Sequence, residues 1–570
     1  MKTQAPDPSH PAPACPVTPC PVPARFVAPH PASARPALPC RASARSVASR
    51  RVAPCHALLL PIAAALCATA LYTTALAQPS PPTSPSSPPP TSPTSLPPTS
   101  PSSSSPTSPP SSSPTSPTSP PPPSTSPPPP PLPTHRFDFG PGATAPGFTQ
   151  VRADTPYSDA LGHGFDPGAL PRETDRGGDA LRGDFVTTGD SGAPFKFSVA
   201  LPEGNYRVTV TLGDAAGESL TTVKAETGRL MLERIATPAA RFETRAFLVN
   251  TRNARLSPGN RIKLDVREWD AAADRAVTAT WDDRLTLQFS DARPCLCAIE
   301  IEPAPDAITV FLIGDSTVTD QGTEPFGTWG QQLPRWFAPP VAIANHAESG
   351  QTLKAFRFQR RWDKVMALMK PGDYVFMQFG HNDLNQRGHD AMWPTADKAG
   401  DWINTHADAA TDYQWLLAAY AVEIKRRGGT PVIVSPMTKI DRRSGRLNTP
   451  GLGAYPAAAR EAARLAGAAL IDLNAMSEEV VRALGEKAAP LAYVDGLHTN
   501  TYGGYLYARC IVEGIRRALP ALARHLAPDA DDFTPARPRP LPADYKIPPD
   551  PRIELPRPPG FPPRPPAPAR

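Results

Sequence analysis

Continuous apolar runs alternate with helical patterns between residues 304 and 527. Such runs are typical of strands buried on both faces, and their alternation with amphipathic helices indicates a parallel sheet covered by helices on each side. This region is therefore predicted to be one α/β domain. Its predicted strands are Ile308–Ile313, Val341–Ala344, Tyr374–Phe379, Pro431–Val434 and Ala469–Leu473. Its predicted helices are Leu353–Met369, Tyr413–Arg427, Tyr455–Ala466 and Thr501–Leu519.

Residues 135–303 follow a different pattern, in which apolar and polar residues alternate with a period of two. This period is typical of strands that are buried on one face only, and an all-β sandwich is the architecture that it favours. The clearest apolar sets are Tyr206, Val208, Val210 and Leu212, then Ile262, Leu264 and Val266, then Leu285, Leu287 and Phe289.

The segments on either side of these two domains are rich in proline, of which the chain has 80. Residues 78–134 are almost entirely Pro, Ser and Thr, so they have too little to bury to offset the entropy cost of ordering. We expect a disordered, partly polyproline linker there. Residues 528–570 are predicted to be an irregular tail rich in Pro and Arg.

The first 77 residues have the features of a leader with a signal peptide. Arg50 and Arg51 precede the apolar run Ala57–Ala77, which ends in the small-x-small sequence Ala75-Leu76-Ala77. Cleavage after Ala77 predicts a secreted or periplasmic protein with no stable membrane insertion. The run is close to membrane-spanning length, so without cleavage it would anchor the protein in the membrane.

Charge and cysteine content exclude several classes of partner. The net charge is only +5, and no basic stripe interleaved with aromatic residues predicts binding to nucleic acid. After the leader only Cys295, Cys297 and Cys510 remain, which predicts buried free thiols rather than a disulfide framework or metal site. We expect no metal and no cofactor, and the oligomeric state stays open.

Four short motifs carry the candidate chemistry. Gly314-Asp315-Ser316-Thr317 follows the first predicted strand, at the end of the sheet where α/β proteins bind ligands. Asp495-Gly496-Leu497-His498 places an acid three residues before an imidazole. Ser349–Thr352 and Gly380–Asp383 lie between them, each after a predicted strand. A serine, a base and an acid are the parts of a serine hydrolase.

The order of these blocks resembles the SGNH (GDSL-type) hydrolase superfamily over residues 308–520. Within it, Gly314–Thr317, Phe379–Asp383 and Asp495–His498 look most similar to bacterial rhamnogalacturonan acetylesterases, and Gly327–Gly330 and Arg361–Val365 add to that likeness. The resemblance implies a three-layer α/β/α, flavodoxin-like fold. Phe137-Asp138-Phe139-Gly140 resembles the start of galactose-binding-like modules, which agrees with a β-sandwich before the hydrolase domain.

The same resemblance implies a catalytic triad. Ser316 is the expected nucleophile, His498 its general base and Asp495 the acid that orients the imidazole. Each assignment has an alternative. The serine could belong to an ordinary turn at the end of a strand. Asp495 and His498, which precede Thr499 and Asn500, could instead be part of a helix cap.

The resemblance also assigns an oxyanion hole and three supporting residues. The backbone N–H groups of the nucleophile and of Gly350, with the side chain of Asn382, match the oxyanion donors. Asp315 is expected to fix the nucleophile turn, and Asp383 to support Asn382 or to rival the triad acid. His381 is expected either to line the sugar site or to be structural.

These features predict a secreted serine esterase that removes O-acetyl groups from a pectic polysaccharide, with acetylated polysaccharide as its partner. The alternatives are an SGNH esterase for another acetylated glycan or a lipid ester, and a non-catalytic cell-wall carbohydrate-binding protein. Gln351 stands where many relatives have arginine, so one substrate contact is expected to differ. Because every candidate catalytic residue follows residue 304, the β-sandwich is predicted to affect polymer access or stability, not chemistry.

Overall fold

The computed structural model describes residues 133–538, apart from 169, 265–268, 271–274, 277–279, 323–324, 386–391 and 395–401. The predicted leader, nearly all of the predicted linker and the end of the predicted tail lie outside the described residues. Within the described part, no helix combines the length and apolar character needed to cross a membrane.

Residues 135–303 form two mostly antiparallel sheets whose inner faces share one core. Phe137 and Phe139 of one sheet pack edge-on against Phe197 of the other, with ring centroids 5.1 and 4.9 Å apart. The strands of the first sheet are Arg241–Thr251, Gly204–Asp214, Cys295–Pro303, His135–Phe139, Thr149–Val151, Asp184–Thr187 and Arg172–Asp175. Those of the second are His163–Phe165, Phe195–Ala200, Arg284–Ser290, Ser219–Ala225 and Arg229–Thr237.

Two of the three alternating sets lie in strands as predicted, and the third does not. Residues 262–264 belong to no strand, and 265–266 lie outside the described residues. Ile262 is buried with Ala254 and Trp281, and the Lys263 N–H donates to the Gln359 carbonyl of the following domain. The Lys263 backbone N–H therefore bonds to another domain and not to a neighbouring strand.

The second domain is a five-stranded parallel sheet with helices on both faces. Its strands are β1 (Ile308–Gly314), β2 (Val341–Asn345), β3 (Tyr374–Gln378), β4 (Thr430–Val434) and β5 (Ala469–Ile471). Their order, β2-β1-β3-β4-β5, is that of a flavodoxin-like fold, as predicted. Two apolar clusters, one on each face of the sheet, complete the three layers.

The four predicted helical segments are helical, with a break in the first, and several other helices were not predicted. The helix predicted over Leu353–Met369 is broken at Arg360, which has a left-handed φ of 62°. A helix that begins at Leu473 was not predicted, because this residue continues the apolar run of β5. The helices are α1 (Trp329–Gln332), α2 (Leu353–Phe358), α3 (Arg361–Leu368), α4 (His381–Asn385), α5 (Gln414–Arg426), α6 (Tyr455–Ala466), α7 (Leu473–Ala488), α8 (Thr501–Ala518) and α9 (Pro520–Ala523).

Short elements complete the described chain. Two-stranded ribbons are formed by Arg255–Ser257 with Asn260–Arg261, Trp269–Asp270 with Arg275–Ala276, Met392–Pro394 with Trp402–Asn404, and Ile440–Asp441 with Arg446–Leu447. The three cysteines after the predicted leader are buried free thiols, as expected. The start of the predicted tail packs on α8, where Arg509 pairs with Asp531 at 2.5 Å.

A glycine in α1 makes a close contact that positions this helix against the loop after β1. A Cβ at Gly330 would lie 2.1 Å from the carbonyl oxygen of Val318. Alanine is the better helix former by about 1 kcal/mol, but overpacking of this kind costs about 1–3 kcal/mol or more. We therefore expect Gly330→Ala to lower the Tm by about 3–10 °C in a thermal unfolding experiment. The control is Gly322→Ala, whose Cβ would meet its nearest atom at 3.7 Å, and equal Tm values for the two variants would contradict the contact.

Candidate active site

The candidate site lies at the carboxyl ends of three adjacent strands. Ser316 follows β1, Gly350 follows β2 and Asn382 lies in the turn of α4 that follows β3. Because β1 lies between β2 and β3, the other two turns flank the serine. The Asn382 amide donates to the Gln351 carbonyl oxygen at 3.2 Å, which joins the two flanking turns.

A chain of hydrogen bonds connects Ser316, His498 and Asp495. The Ser316 hydroxyl is 2.8 Å from His498 Nε2, and His498 Nδ1 is 2.8 Å from the second carboxylate oxygen of Asp495. The first carboxylate oxygen accepts from the backbone N–H groups of Leu497 and His498, both at 2.7 Å. A proton on Nδ1, held by the carboxylate, leaves Nε2 free to accept the proton of the serine.

The electrostatics of this chain favour an imidazole that gains a proton readily. The hydrogen bond that the His498 ring donates to Asp495 raises the pKa of His498 above its ordinary 6.5, and burial opposes this shift. Burial alone would raise the pKa of Asp495, but hydrogen bonds from the His498 ring and from two backbone N–H groups outweigh it and lower this pKa to about 2. Asp495 is therefore ionised at neutral pH, and its side chain is 50% exposed to solvent.

Among the expected oxyanion donors, Gly350 is a glycine because of its backbone conformation. Gly350 has a φ of 77°, and a Cβ there would meet no heavy atom within 4 Å. The positive φ, not crowding within the protein, therefore accounts for glycine at this position. The Gln351 side chain is buried and donates to Gln359 at 3.0 Å, so it does not project into the site.

Asp315 and His381 form a fully buried hydrogen-bonded pair behind the nucleophile. His381 Nδ1 is 2.9 Å from Asp315, and His381 Nε2 is 3.0 Å from the carbonyl oxygen of Met437, which can only accept. The other Asp315 oxygen accepts from the Thr317 N–H and hydroxyl, at 3.0 and 2.7 Å. Burial opposes ionisation, yet the charge and hydrogen bond of His381 lower the pKa of Asp315. Both ring nitrogens of His381 therefore face partners inside the protein, a placement that favours the structural role over the lining of a sugar site.

Asp383 supports the turn after β3 and does not contact the imidazole of His498. Its carboxylate accepts from the N–H groups of Gly380 and Leu353, at 3.1 and 3.2 Å. Burial raises its pKa to about 8, and the nearby charge of Asp315 adds to this shift. Of the two acids considered from the sequence, the structure places Asp495 and not Asp383 on the histidine.

Two glutamines that the sequence did not single out complete the nucleophile turn. Gln321 Nε2 donates to the Ser316 carbonyl at 2.7 Å. Gln378 Nε2 donates to the Thr317 hydroxyl, while its oxygen accepts from the Trp329 indole at 2.9 Å. Gln378 is a polar residue at the end of an apolar strand. This position in the sequence could have indicated that it has a role in the site. Gln321 follows no pattern that would have revealed its role.

The arrangement can carry out acyl transfer with side-chain and backbone groups alone. No group of three or more His, Cys, Asp or Glu residues in the described ranges is placed to hold a metal ion.

The fold and this site define a two-domain protein with an ester hydrolase domain. Residues 312–504 match the GDSL-like lipase/acylhydrolase family, and residues 135–234 match the β-agarase/YXIM esterase-like, galactose-binding domain-like family. The chain therefore carries a GDSL-like hydrolase domain preceded by a galactose-binding-like domain, as its motifs indicated.

Particular relatives share one or both domains. The uncharacterized esterase YxiM of Bacillus subtilis (strain 168) is 24% identical over 400 residues, which cover 67% of this chain and 91% of YxiM. Rhamnogalacturonan acetylesterase RhgT of the same organism is 29% identical over 240 residues, or 38% of this chain and 94% of RhgT. The crystal structure of B. subtilis YxiM aligns with a TM-score of 0.34 at 24% identity, over 67% of this chain and 98% of that chain.

Ester hydrolysis is expected to fall as the pH drops through the titration of His498, because only the neutral imidazole can accept the serine proton. The acid limb of kcat/KM should have its midpoint above 6.5, since Asp495 raises this pKa. Asp495→Asn should lower kcat by about ten-thousandfold and move the His498 titration, followed by NMR of the ring protons, to lower pH. An unmoved titration in the variant would contradict the assignment of Asp495.

Proposed function

We propose that the chain is a serine esterase that removes O-acetyl groups from a pectic polysaccharide, acting outside the cytoplasm. The observation that carries this proposal is the Ser316–His498–Asp495 chain, with 2.8 Å at each side-chain step. Support for the acetyl group and the polymer comes from the rhamnogalacturonan acetylesterases among the relatives.

The proposed reaction proceeds through an acetyl-enzyme. Ser316 attacks the acetyl carbonyl carbon while His498 takes the hydroxyl proton, and the resulting oxyanion accepts from the Ser316 and Gly350 N–H groups and the Asn382 amide. The tetrahedral intermediate collapses, and His498 returns the proton to the departing sugar hydroxyl. His498 then takes a proton from water, which attacks the acetyl carbon, and acetate leaves as Ser316 regains its proton.

A lysine beside the site favours an acidic polymer over a neutral one. Lys439 lies between Met437, whose carbonyl accepts from His381, and Ile440, whose N–H donates to Gly496 in the loop of the triad acid at 2.9 Å. Its ammonium makes no hydrogen bond or ion pair with the described residues; burial lowers its pKa, and the charge of Asp495 opposes this shift. A half-buried cation that no described side chain hydrogen-bonds is suited to the carboxylate of a uronic acid next to the acetylated sugar.

The first test is Ser316→Ala, measured as acetate release from acetylated rhamnogalacturonan, acetylated xylan and p-nitrophenyl acetate. The loss of the nucleophile should lower kcat by about a thousandfold or more on every ester that the wild type cleaves. The control is Ser349→Ala, which removes an exposed hydroxyl from the adjacent turn.

A phosphonate should label the wild type and the Ser349→Ala variant but not Ser316→Ala. A wild type that folds but releases acetate from none of these esters would favour the non-catalytic carbohydrate-binding alternative. Faster release from xylan than from the pectic polymer would favour the alternative of another acetylated glycan.

The second test is Lys439→Met. Loss of a charge-assisted hydrogen bond to a uronic acid should lower kcat/KM on acetylated rhamnogalacturonan oligosaccharides by about tenfold to a hundredfold. Lys439 also lowers the pKa of His498, so the rates are compared at a pH well above that titration, where the imidazole is neutral in both proteins. Activity on neutral p-nitrophenyl acetate should then stay unchanged. Both activities should also stay unchanged in the control Arg442→Met, which removes an exposed cation three residues away. Equal losses on both substrates would show that Lys439 acts on the triad and not on the sugar.

A further inference from the structure

Two arginines of the β-sandwich reach into the second domain. Arg229 begins the strand Arg229–Thr237, and Arg252 directly follows the strand Arg241–Thr251. Both bind the same carboxylate oxygen of Asp320, with Arg229 Nε at 2.8 Å and Arg252 Nη2 at 3.0 Å. The side chains of all three residues are at most 1% exposed, so this ion-pair cluster is shielded from water.

Both guanidinium groups also form hydrogen bonds within the β-sandwich. Arg229 also donates to the Asn250 carbonyl at 2.8 Å, and Arg252 donates to the Thr280 carbonyl at 2.9 Å. Arg252 further stacks on Trp281, with its guanidinium carbon 4.6 Å from the ring centroid. Burial and the neighbouring Arg229 lower the pKa of Arg252 to about 10, so it remains a cation at neutral pH.

Asp320 lies four residues after the nucleophile, in the loop that continues from it. Its second carboxylate oxygen accepts from Asn345 Nδ2 at 2.8 Å, and the same amide donates to the Val318 carbonyl at 2.8 Å. The next residue, Gln321, donates to the Ser316 carbonyl. Asp320 and Gln321 therefore hold the part of the loop that follows the serine.

A second link joins the β-sandwich to the same loop. Gln331 Nε2 donates to the Gln321 carbonyl at 3.0 Å and to the Thr227 carbonyl of the β-sandwich at 2.7 Å. Thr227 is two residues before Arg229, so this link and the Arg229 contact come from the same end of one strand. The loop that carries the nucleophile is thus held from the neighbouring domain at two consecutive residues, Asp320 and Gln321.

We propose that Arg229 and Arg252 are positioning residues for the hydrolysis reaction, and that the β-sandwich is a structural part of the active site. They act through Asp320 and Gln321 on the carbonyl of Ser316, the residue whose own N–H is a proposed oxyanion donor. A displacement of about 1 Å at such a group costs about a hundredfold in rate. The inference rests on the proposed role of Ser316, and it opposes the sequence-based expectation that this domain affects only polymer access or stability.

The test uses the full chain with p-nitrophenyl acetate, a substrate too small to need the β-sandwich for binding. Arg252→Met should lower kcat by about tenfold to a hundredfold with little change in KM, at a temperature well below its Tm. Titration with a phosphonate counts the reactive serines, so kcat per site excludes unfolded protein. Arg252→Lys, which keeps the charge, should recover part of the lost kcat.

The matched control is Lys364→Met. It removes another buried interdomain ion pair, Lys364–Glu203 at 2.6 Å, which does not bind the nucleophile loop. Its Tm should fall while its kcat stays within about twofold of wild type, since the nucleophile does not move.

Several outcomes would overturn the proposal. It fails if Arg252→Met keeps wild-type kcat, or if Lys364→Met loses as much kcat as Arg252→Met. If Arg252→Met does not fold, the comparison passes to Arg252→Lys, and wild-type kcat there overturns the proposal as well. Failure of the proposed function is distinguishable, because it would leave wild type and Ser316→Ala equally inactive and unlabelled.

Discussion

The buried hydrogen bond between Asp315 and His381 is the interaction on which the site depends. It connects the nucleophile turn after β1, the turn of Asn382 after β3 and the carbonyl of Met437 after β4. A buried hydrogen bond adds only about 1 kcal/mol of net stability, because both groups also lose their bonds to water. Loss of one partner, however, leaves a buried polar group unpaired and costs about 1–3 kcal/mol or more, a large share of the roughly 5–15 kcal/mol that stabilises a domain. The pair therefore acts mainly by fixing the relative positions of three turns.

Three carboxyl groups close to the site have different protonation states because their surroundings differ. Asp315 is buried but ionised, since the charge and hydrogen bond of His381 and the hydrogen bonds from Thr317 hold its pKa below the ordinary value despite burial. Asp383 is equally buried and has no such histidine partner, and its pKa of about 8 keeps it neutral at pH 7. Asp495 is half exposed and ionised, held by the imidazole and two backbone N–H groups. Only the last contacts His498, although the charge of Asp315 also raises the pKa of this imidazole.

Sequence reasoning predicted the parts of the structure that local patterns determine. The five strands of the parallel sheet follow from apolar runs, and Ser316, His498 and Asp495 lie in short motifs that resemble those of the SGNH superfamily. The break at Arg360 and the helix start at Leu473 were missed, because the apolar pattern continues through both. Gln321 was missed because its partner, the Ser316 carbonyl, is a backbone group that leaves no trace in the sequence.

The interdomain contacts were missed for a related reason. Arg229 and Arg252 lie at strand ends in a region of period-two alternation, where polar residues normally face water. In this chain those positions face a second domain, and their charges meet Asp320 in a site that excludes water. A polar strand face therefore did not mean a solvent-exposed face. The period-two alternation correctly predicted the β-sandwich. It could not predict that Arg229 and Arg252 are buried, because the domain that covers them begins later in the chain.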